Sequence, residues 1–202
     1  TNGHRIIEID YTAGTEREVD RYATPEGLWQ RLTASAHLTQ PAAAHLLEPF
    51  NLVSGKVPRY YQHIAIQRVI ESILLGQRRI LATLATGTGK TCIAFQVCWK
   101  LWNSRWNRTG EYRRPKILFL ADRNILVDDP MAKMFAPFGD ARHKIAGGDV
   151  SQSRDMYFGI YQALSTSTED VFRKYRPDFF DLIIIDECHR GSSRDESSWR
   201  AV

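Results

Sequence analysis

The chain has 202 residues, 43% of them hydrophobic, enough for one apolar core and a small flanking piece, and its formal net charge is +4. The charge is uneven: Thr1 to Pro58 carries 5 basic and 7 acidic residues, Arg59 to Val202 carries 22 and 16, a bias compatible with a phosphate backbone and equally with a solvated surface. No apolar run approaches a membrane span and no signal segment opens the sequence, which predicts cytoplasmic residence, and Cys92, Cys98 and Cys188 lack metal-ligand spacing and read as reduced thiols.

Residues 1–22 read as one or two short strands. Ile6, Ile7 and Ile9 form an apolar stretch, and an Ala13-Gly14-Thr15 turn separates it from Glu18-Val19-Asp20-Arg21-Tyr22. Two strands make no domain, so this piece is expected to belong to something longer. Thr24-Pro25-Glu26 is a helix cap followed by proline at the first helical position, and Leu28, Trp29, Leu32 and Ala36 then share one face. Ala42 to Glu48 is a second helical stretch, closed by Pro49. Residues 23–51 thus read as a helical connector, and 52–202 as an α/β domain: a parallel sheet with helices on both faces. Its first helix, Tyr60 to Leu75, carries the stripe Ile66, Val69, Ile70, Ile73.

Arg79 to Leu84 reads as a short buried strand, followed by the loop Ala85-Thr86-Gly87-Thr88-Gly89 and a helix from Lys90. That order is the one a phosphate-binding loop needs. Glycines let successive backbone N–H groups turn inward around a phosphate, and the helix N-terminus adds partial positive charge. Lys90 is placed to reach the β- and γ-phosphates, and the Thr91 hydroxyl to ligate Mg²⁺. Trp99, Trp102 and Trp106, three and four apart on that helix, read as packing residues. Asn103 to Pro115 reads mainly as a solvated basic loop, and Ile117 to Ala121 as the next buried strand.

Leu182-Ile183-Ile184-Ile185 is a continuous apolar run, expected of a central parallel strand covered on both faces, and it ends in Asp186-Glu187. Carboxylates at a strand's C-terminal end face the ligand crevice of such a sheet. Asp186 suits Mg²⁺ binding through water, and Glu187 suits orienting and deprotonating an attacking water.

Asp186-Glu187-Cys188-His189 resembles the DExH box of superfamily 2 helicases and translocases, whose phosphate loops vary at the position where Leu84 replaces the general glycine. The segments 59–91, 117–129, 160–164 and 183–191 narrow the resemblance to the motor (R) subunit of type I restriction enzymes. That resemblance implies an endonuclease domain followed by two RecA-like lobes that translocate double-stranded DNA using ATP and Mg²⁺, in complex with specificity and methylation subunits. Residues 1–22 then correspond to the end of the nuclease domain. The family cuts with an acidic residue and a Glu-x-Lys pair, and no lysine here has glutamate two residues before it.

The resemblance further implies that Gln62, with Arg59, Tyr60 and Tyr61 beside it, reads the adenine edge, and that His189 senses the γ-phosphate. Arg123 and Asn124 match a first DNA-contact motif, although polar residues at a strand end also cap the next helix; Tyr161 and Gln162 match a second. The sequence ends 13 residues after His189, before the Ser/Thr-Ala-Thr coupling motif and the second lobe with its arginine finger, so these 202 residues alone are expected to be inactive. Two alternatives share the same nucleotide site: another superfamily 2 DNA or RNA helicase, and a nucleotide-binding assembly module without turnover.

Overall fold

The structure, a computed structural model, describes residues 3–10, 14–36, 38–52, 57–146, 149, 151–164 and 171–186, in two compact units, Thr1–Ala43 and Ala44–Val202. In the first unit β1 (Ile6–Asp10) and β2 (Thr15–Val19) pair antiparallel, Ile6 opposite Val19 and Asp10 opposite Thr15. The second strand lies earlier than its apolar content suggests, because ladder register and not hydrophobicity sets its ends. Helix α1 (Pro25–Ala36) starts as its cap predicts: Thr24 Oγ1 accepts the Gly27 N–H at 3.1 Å. The Glu8 carboxylate ties β1 to this helix, accepting from Arg31 at 2.9 Å and from Arg17 Nε at 2.8 Å, and these two guanidinium groups hold it below its ordinary pKa.

Helix α2 (Gln40–Ala44) and a 3-10 turn at His45–Leu47 precede the elements of the second unit. These are α3 (Tyr60–Leu74), α4 (Lys90–Asn103), β3 (Ile117–Ala121), α5 (Asn124–Ala132), β4 (Arg142–Lys144), β5 (Met156–Ile160), α6 (Tyr161–Leu164) and β6 (Leu182–Ile185). The strands form one parallel sheet in the order β4-β5-β3-β6, with Ile117 level with both Met156 and Leu182. All five residues of β3 are buried, because the strand is covered twice. Ile117, Phe119 and Ala121 pack under Phe95, Cys98 and Trp102 of α4, with Val127 and Phe135. Leu118 and Leu120 face the other way, onto Tyr157, Leu164, Val171 and Tyr175. Helix α3 lies outside α4, its Ile66, Ile70 and Ile73 against Ile93, Val97 and Leu101. The tryptophans are packing residues as expected: Trp99 and Trp102 join the α4–β3 core, Trp106 the α3–α4 core.

Three expectations need correction. Residues 79–84 are in no strand; Arg79 to Thr83 are exposed, Leu81 by 81%, and only Leu84 is half-buried. Strand β6 is not covered on both faces: it pairs with β3 alone among the described residues, and Ile183 and Ile185 are 44% and 43% exposed. A strand is defined by its neighbours: among the described residues 79–84 has none, and β6, bonded to β3 on one side, is an edge strand. Finally, 103–115 is no simple solvated loop, since Asn107 is buried within it and Arg113 is clamped to the buried Asp181. Residues 190–198, a largely polar stretch, lie outside the described residues.

Candidate nucleotide site

The phosphate loop stands at the carboxyl edge of the sheet because of how α4 is anchored. Trp102 Nε1, near the helix C-terminus, donates to Asp155 Oδ2 at 3.1 Å, and Asp155 immediately precedes β5. The end of α4 therefore lies at the amino edge. Fourteen helical residues span about 21 Å, more than the roughly 17 Å of the five-residue strands β3 and β5, and carry the helix N-terminus to the opposite edge. Asp186 immediately follows β6 there, its N–H donating to Leu120 O at 2.9 Å, and Asp122, Arg123, Asn124, Tyr161 and Gln162 follow β3 and β5 at the same edge.

Gly87 and Gly89 have φ of 79° and 83°, in the left-handed region that glycine reaches without steric cost, and a side chain on Gly87 would meet nothing within 4 Å. Helix α4 begins at Lys90 with no side-chain cap, so its positive end opens onto the glycine loop. Open space, turned glycines and an uncapped helix end fit a di- or triphosphate. Lys90 and Thr91 stand in the first helical turn, both half-buried. A hydroxyl there and a carboxylate at the end of β6 are the hard oxygen donors that suit Mg²⁺.

The residues matched to adenine recognition hold the loop itself. Gln62, 8% exposed, accepts the Arg59 N–H on Oε1 at 2.9 Å and donates from Nε2 to Thr88 O at 2.8 Å. Tyr61 donates its hydroxyl hydrogen to the same carbonyl at 3.4 Å and accepts from Arg59 Nη1 at 3.4 Å. Thr88 closes its own turn by donating from Oγ1 to Ala85 O at 2.7 Å. Both ends of the Gln62 amide are thus engaged with protein. Tyr60, 80% exposed, meets the Tyr61 ring edge-on with centroids 5.5 Å apart, and Thr86 is exposed.

Of the residues matched to DNA-contact motifs, Arg123 and Asn124 are exposed, and Arg123 pairs with Asp122 at 3.4 Å. Arg123 occupies the cap position of α5 but makes no side-chain cap, so capping does not account for it. Tyr161 packs partly against the second core, while Gln162 is exposed. Glu187 and His189 lie outside the described residues. Cys92 and Cys98 are free thiols, as expected, and burial raises the Cys98 pKa. Among the described residues there is no cluster of metal-binding side chains and no helix long and apolar enough to cross a membrane.

Sequence reasoning missed a second set of polar residues on α4. Gln96 exchanges two hydrogen bonds with Asn51, donating to its carbonyl at 2.6 Å and accepting its N–H at 3.0 Å. Lys100, one turn on, donates to Leu46 O at 2.9 Å and to Glu48 O, and its ammonium lies 4.6 Å from the Phe50 ring centroid. Burial lowers its pKa, partly offset by Glu48. The signal was readable: two polar residues four apart on an otherwise apolar helix are spaced for one partner.

The fold and site define a P-loop lobe of the helicase-like kind. Residues 55–202 match the family described as "Type III restriction enzyme, res subunit". The type I restriction enzyme EcoAI endonuclease subunit of Escherichia coli is 42% identical over 211 residues, covering 100% of this chain and 25% of that protein. The EcoKI endonuclease subunit of E. coli K12 is 30% identical over 153 residues, covering 68% of this chain and 12% of its own length. A solved fragment assigned to an HsdR subunit of a type I restriction enzyme from Vibrio vulnificus YJ016 superposes with a TM-score of 0.76 at 50% identity, over 96% of this chain and 33% of that one. The chain belongs to the R subunits of type I restriction enzymes, with a superfamily 2 helicase domain of RecA-like α/β construction. It spans about a quarter of the EcoAI subunit.

Proposed function

We propose that the subunit is an ATP-dependent translocase of double-stranded DNA, coupled to endonuclease cleavage and working with specificity and methylation subunits in the cytoplasm, and that residues 52–202 form its first motor lobe. Residues 1–22 are the end of the nuclease domain and 23–51 the connector. The observation that carries this reading is the pair of left-handed glycines opening onto the uncapped α4 at the edge where Asp186 follows β6.

Mg²⁺ and ATP supply, when bound, the electrophilic γ-phosphorus and the neutralisation of its oxygens. Backbone N–H groups of Gly87 to Thr91 hold the phosphates, Lys90 adds a point charge on the β- and γ-oxygens, and Thr91 and Asp186 hold the metal. Glu187 orients the attacking water and accepts its proton as the new P–O bond forms and the bond to the β–γ bridging oxygen breaks, releasing ADP and phosphate. Gln62 selects adenine and His189 couples the γ-phosphate to the DNA-side loops. Arg123, Asn124, Tyr161 and Gln162 contact the DNA backbone.

The test is duplex-stimulated phosphate release by the full-length subunit in its complex, together with displacement of a third strand from a triplex downstream of the recognition site. Stimulation with displacement is expected, and both are lost in Lys90→Ala. Hydrolysis with strand separation and no triplex displacement would assign the lobe to a helicase; binding without turnover would make it an assembly module.

A further inference from the structure

The loop joining α4 to β3 is held more tightly than a surface connection needs. Asn107, 6% exposed, donates from Nδ2 to the carbonyls of Arg105, Glu111 and Arg113 at 3.2, 2.7 and 3.0 Å, and its Oδ1 accepts from Thr109 Oγ1 at 2.9 Å and Glu111 N at 3.0 Å. From outside the loop, the buried Asp181 accepts the Arg108 and Lys116 N–H groups at 3.1 and 2.8 Å and a two-pronged contact from Arg113 at 2.6 and 3.0 Å. Every turn of the loop is therefore fastened to one of two buried side chains.

This scaffold displays cations. Arg105 has φ 56°, the one left-handed residue other than glycine among those described, a conformation that costs free energy and that a structural loop would fill with Gly or Asn. Its guanidinium lies 4.6 Å from the centroid of Tyr112, itself 88% exposed. Arg108 is exposed, and Arg114 lies 3.4 Å from the Trp102 ring centroid. No carboxylate among the described residues pairs with any of the three; Glu111 and Asp181 are both taken by Arg113. The loop is about 20 Å from the phosphate loop, at the far end of α4, so it is separate from the nucleotide site.

We infer that this loop binds the phosphodiester backbone of duplex DNA through Arg105, Arg108 and Arg114, a contact on the amino edge of the sheet in addition to Arg123 and Asn124 on the carboxyl edge. The inference rests on the proposed action on DNA. Fixed guanidinium groups suit phosphate oxygens, which accept two parallel hydrogen bonds from each. The residues exposed between them are Thr109, Gly110, Glu111 and Tyr112, and the Glu111 carboxylate is engaged by Arg113 at 2.8 Å, so the three arginines set the charge of this surface. The contact is independent of base sequence, because phosphates carry none.

The test is duplex affinity of the full-length subunit, without nucleotide, across a series of salt concentrations. The Arg105→Asn/Arg108→Gln double variant is expected to lower the slope of log K against log salt by about two and the affinity at low salt by about tenfold or more, equally for unrelated sequences. DNA-independent ATP hydrolysis stays unchanged. Arg105→Asn alone is expected not to lower Tm, since asparagine tolerates the left-handed region, and Arg108→Lys keeps the slope. An unchanged slope and affinity overturns the inference. So does duplex binding that survives while assembly with the methylation and specificity subunits fails, which assigns the loop to an acidic protein surface. Wild type without salt-dependent duplex binding sinks the proposed function as well, whereas wild-type binding that the variants leave intact sinks this inference alone.

Discussion

Gln62 Nε2 and the Thr88 carbonyl oxygen are 2.8 Å apart, so the side chain matched to adenine recognition is, in this structure, a strut beneath the phosphate loop. Its Oε1 is engaged with the Arg59 N–H, and for the amide to face a base at least one of these bonds must open. Base recognition and loop conformation are thereby alternatives for one amide. Gln62→Ala is expected to weaken ATP binding while leaving GTP binding near its wild-type value, and to cost about 1 kcal/mol of stability for the lost hydrogen bonds. Calorimetric titration with both nucleotides checks it; equal loss for both would mean that the residue serves the loop alone.

Gly89 tests the same strut from the other side. A Cβ at Gly89 would come 2.6 Å from Gln62 Nε2, whereas one at Gly87 meets open space, and both positions have φ near +80°. Both alanine variants carry the left-handed cost, roughly 1–3 kcal/mol. Gly89→Ala adds the displacement of Gln62 and is expected to be the more destabilising in denaturant unfolding. In the Gln62→Ala background that difference disappears.

The two carboxyl-edge acids separate binding from chemistry. Glu187→Gln in the full-length motor is expected to retain Mg·ATP binding and lose roughly 10²-fold or more in turnover, because a general base contributes on that scale. Asp186→Asn instead shifts the Mg²⁺ concentration needed for half-maximal activity. Near-normal duplex-stimulated turnover in Glu187→Gln would falsify the assignment.

Asp181 makes stability pH-dependent. Burial raises its carboxyl pKa, but hydrogen bonds from Arg113 and from the Lys116 and Arg108 N–H groups outweigh that and leave it below the ordinary value of 3.8. A depressed native pKa means that the unfolded chain binds the proton more readily, so the contribution is fully present above the unfolded pKa and is lost as pH falls through the native one. The Asp181→Asn variant is expected to be less stable at pH 7, with a difference from wild type that narrows below about pH 4. Thermal unfolding at both pH values measures it.

Lys100→Met removes a buried ammonium and leaves the Leu46 and Glu48 carbonyls without their donor. The unmet carbonyls cost about 1–3 kcal/mol, and relief from burying a charge offsets part of it. A net loss below about 2 kcal/mol is expected in denaturant unfolding, with Gln96→Leu adding to it through the Asn51 pair.

Local chemistry in the sequence determined much of this chain. Pro25 after Thr24 specifies a helix start, the 3.6-residue stripe of Ile66, Ile70 and Ile73 specifies a buried helix face, and Gly87 and Gly89 specify a turn that only glycine makes without cost, because each signal depends on neighbours a few residues away. Tertiary structure decided what depends on distant partners. Residues 79–84 and 182–185 are both apolar and β-branched enough to be central strands, yet the first pairs with nothing described and the second with β3 alone, since strand identity needs an edge to bond to. Asn107 and Asp181 are 74 residues apart and acidic or polar like many loop residues; only folding puts both beneath the same loop and turns a run of arginines into a fixed display. The amide of Gln62 likewise gained its carbonyl partner 26 residues away only when α3 packed alongside α4, a relation that no local pattern encodes.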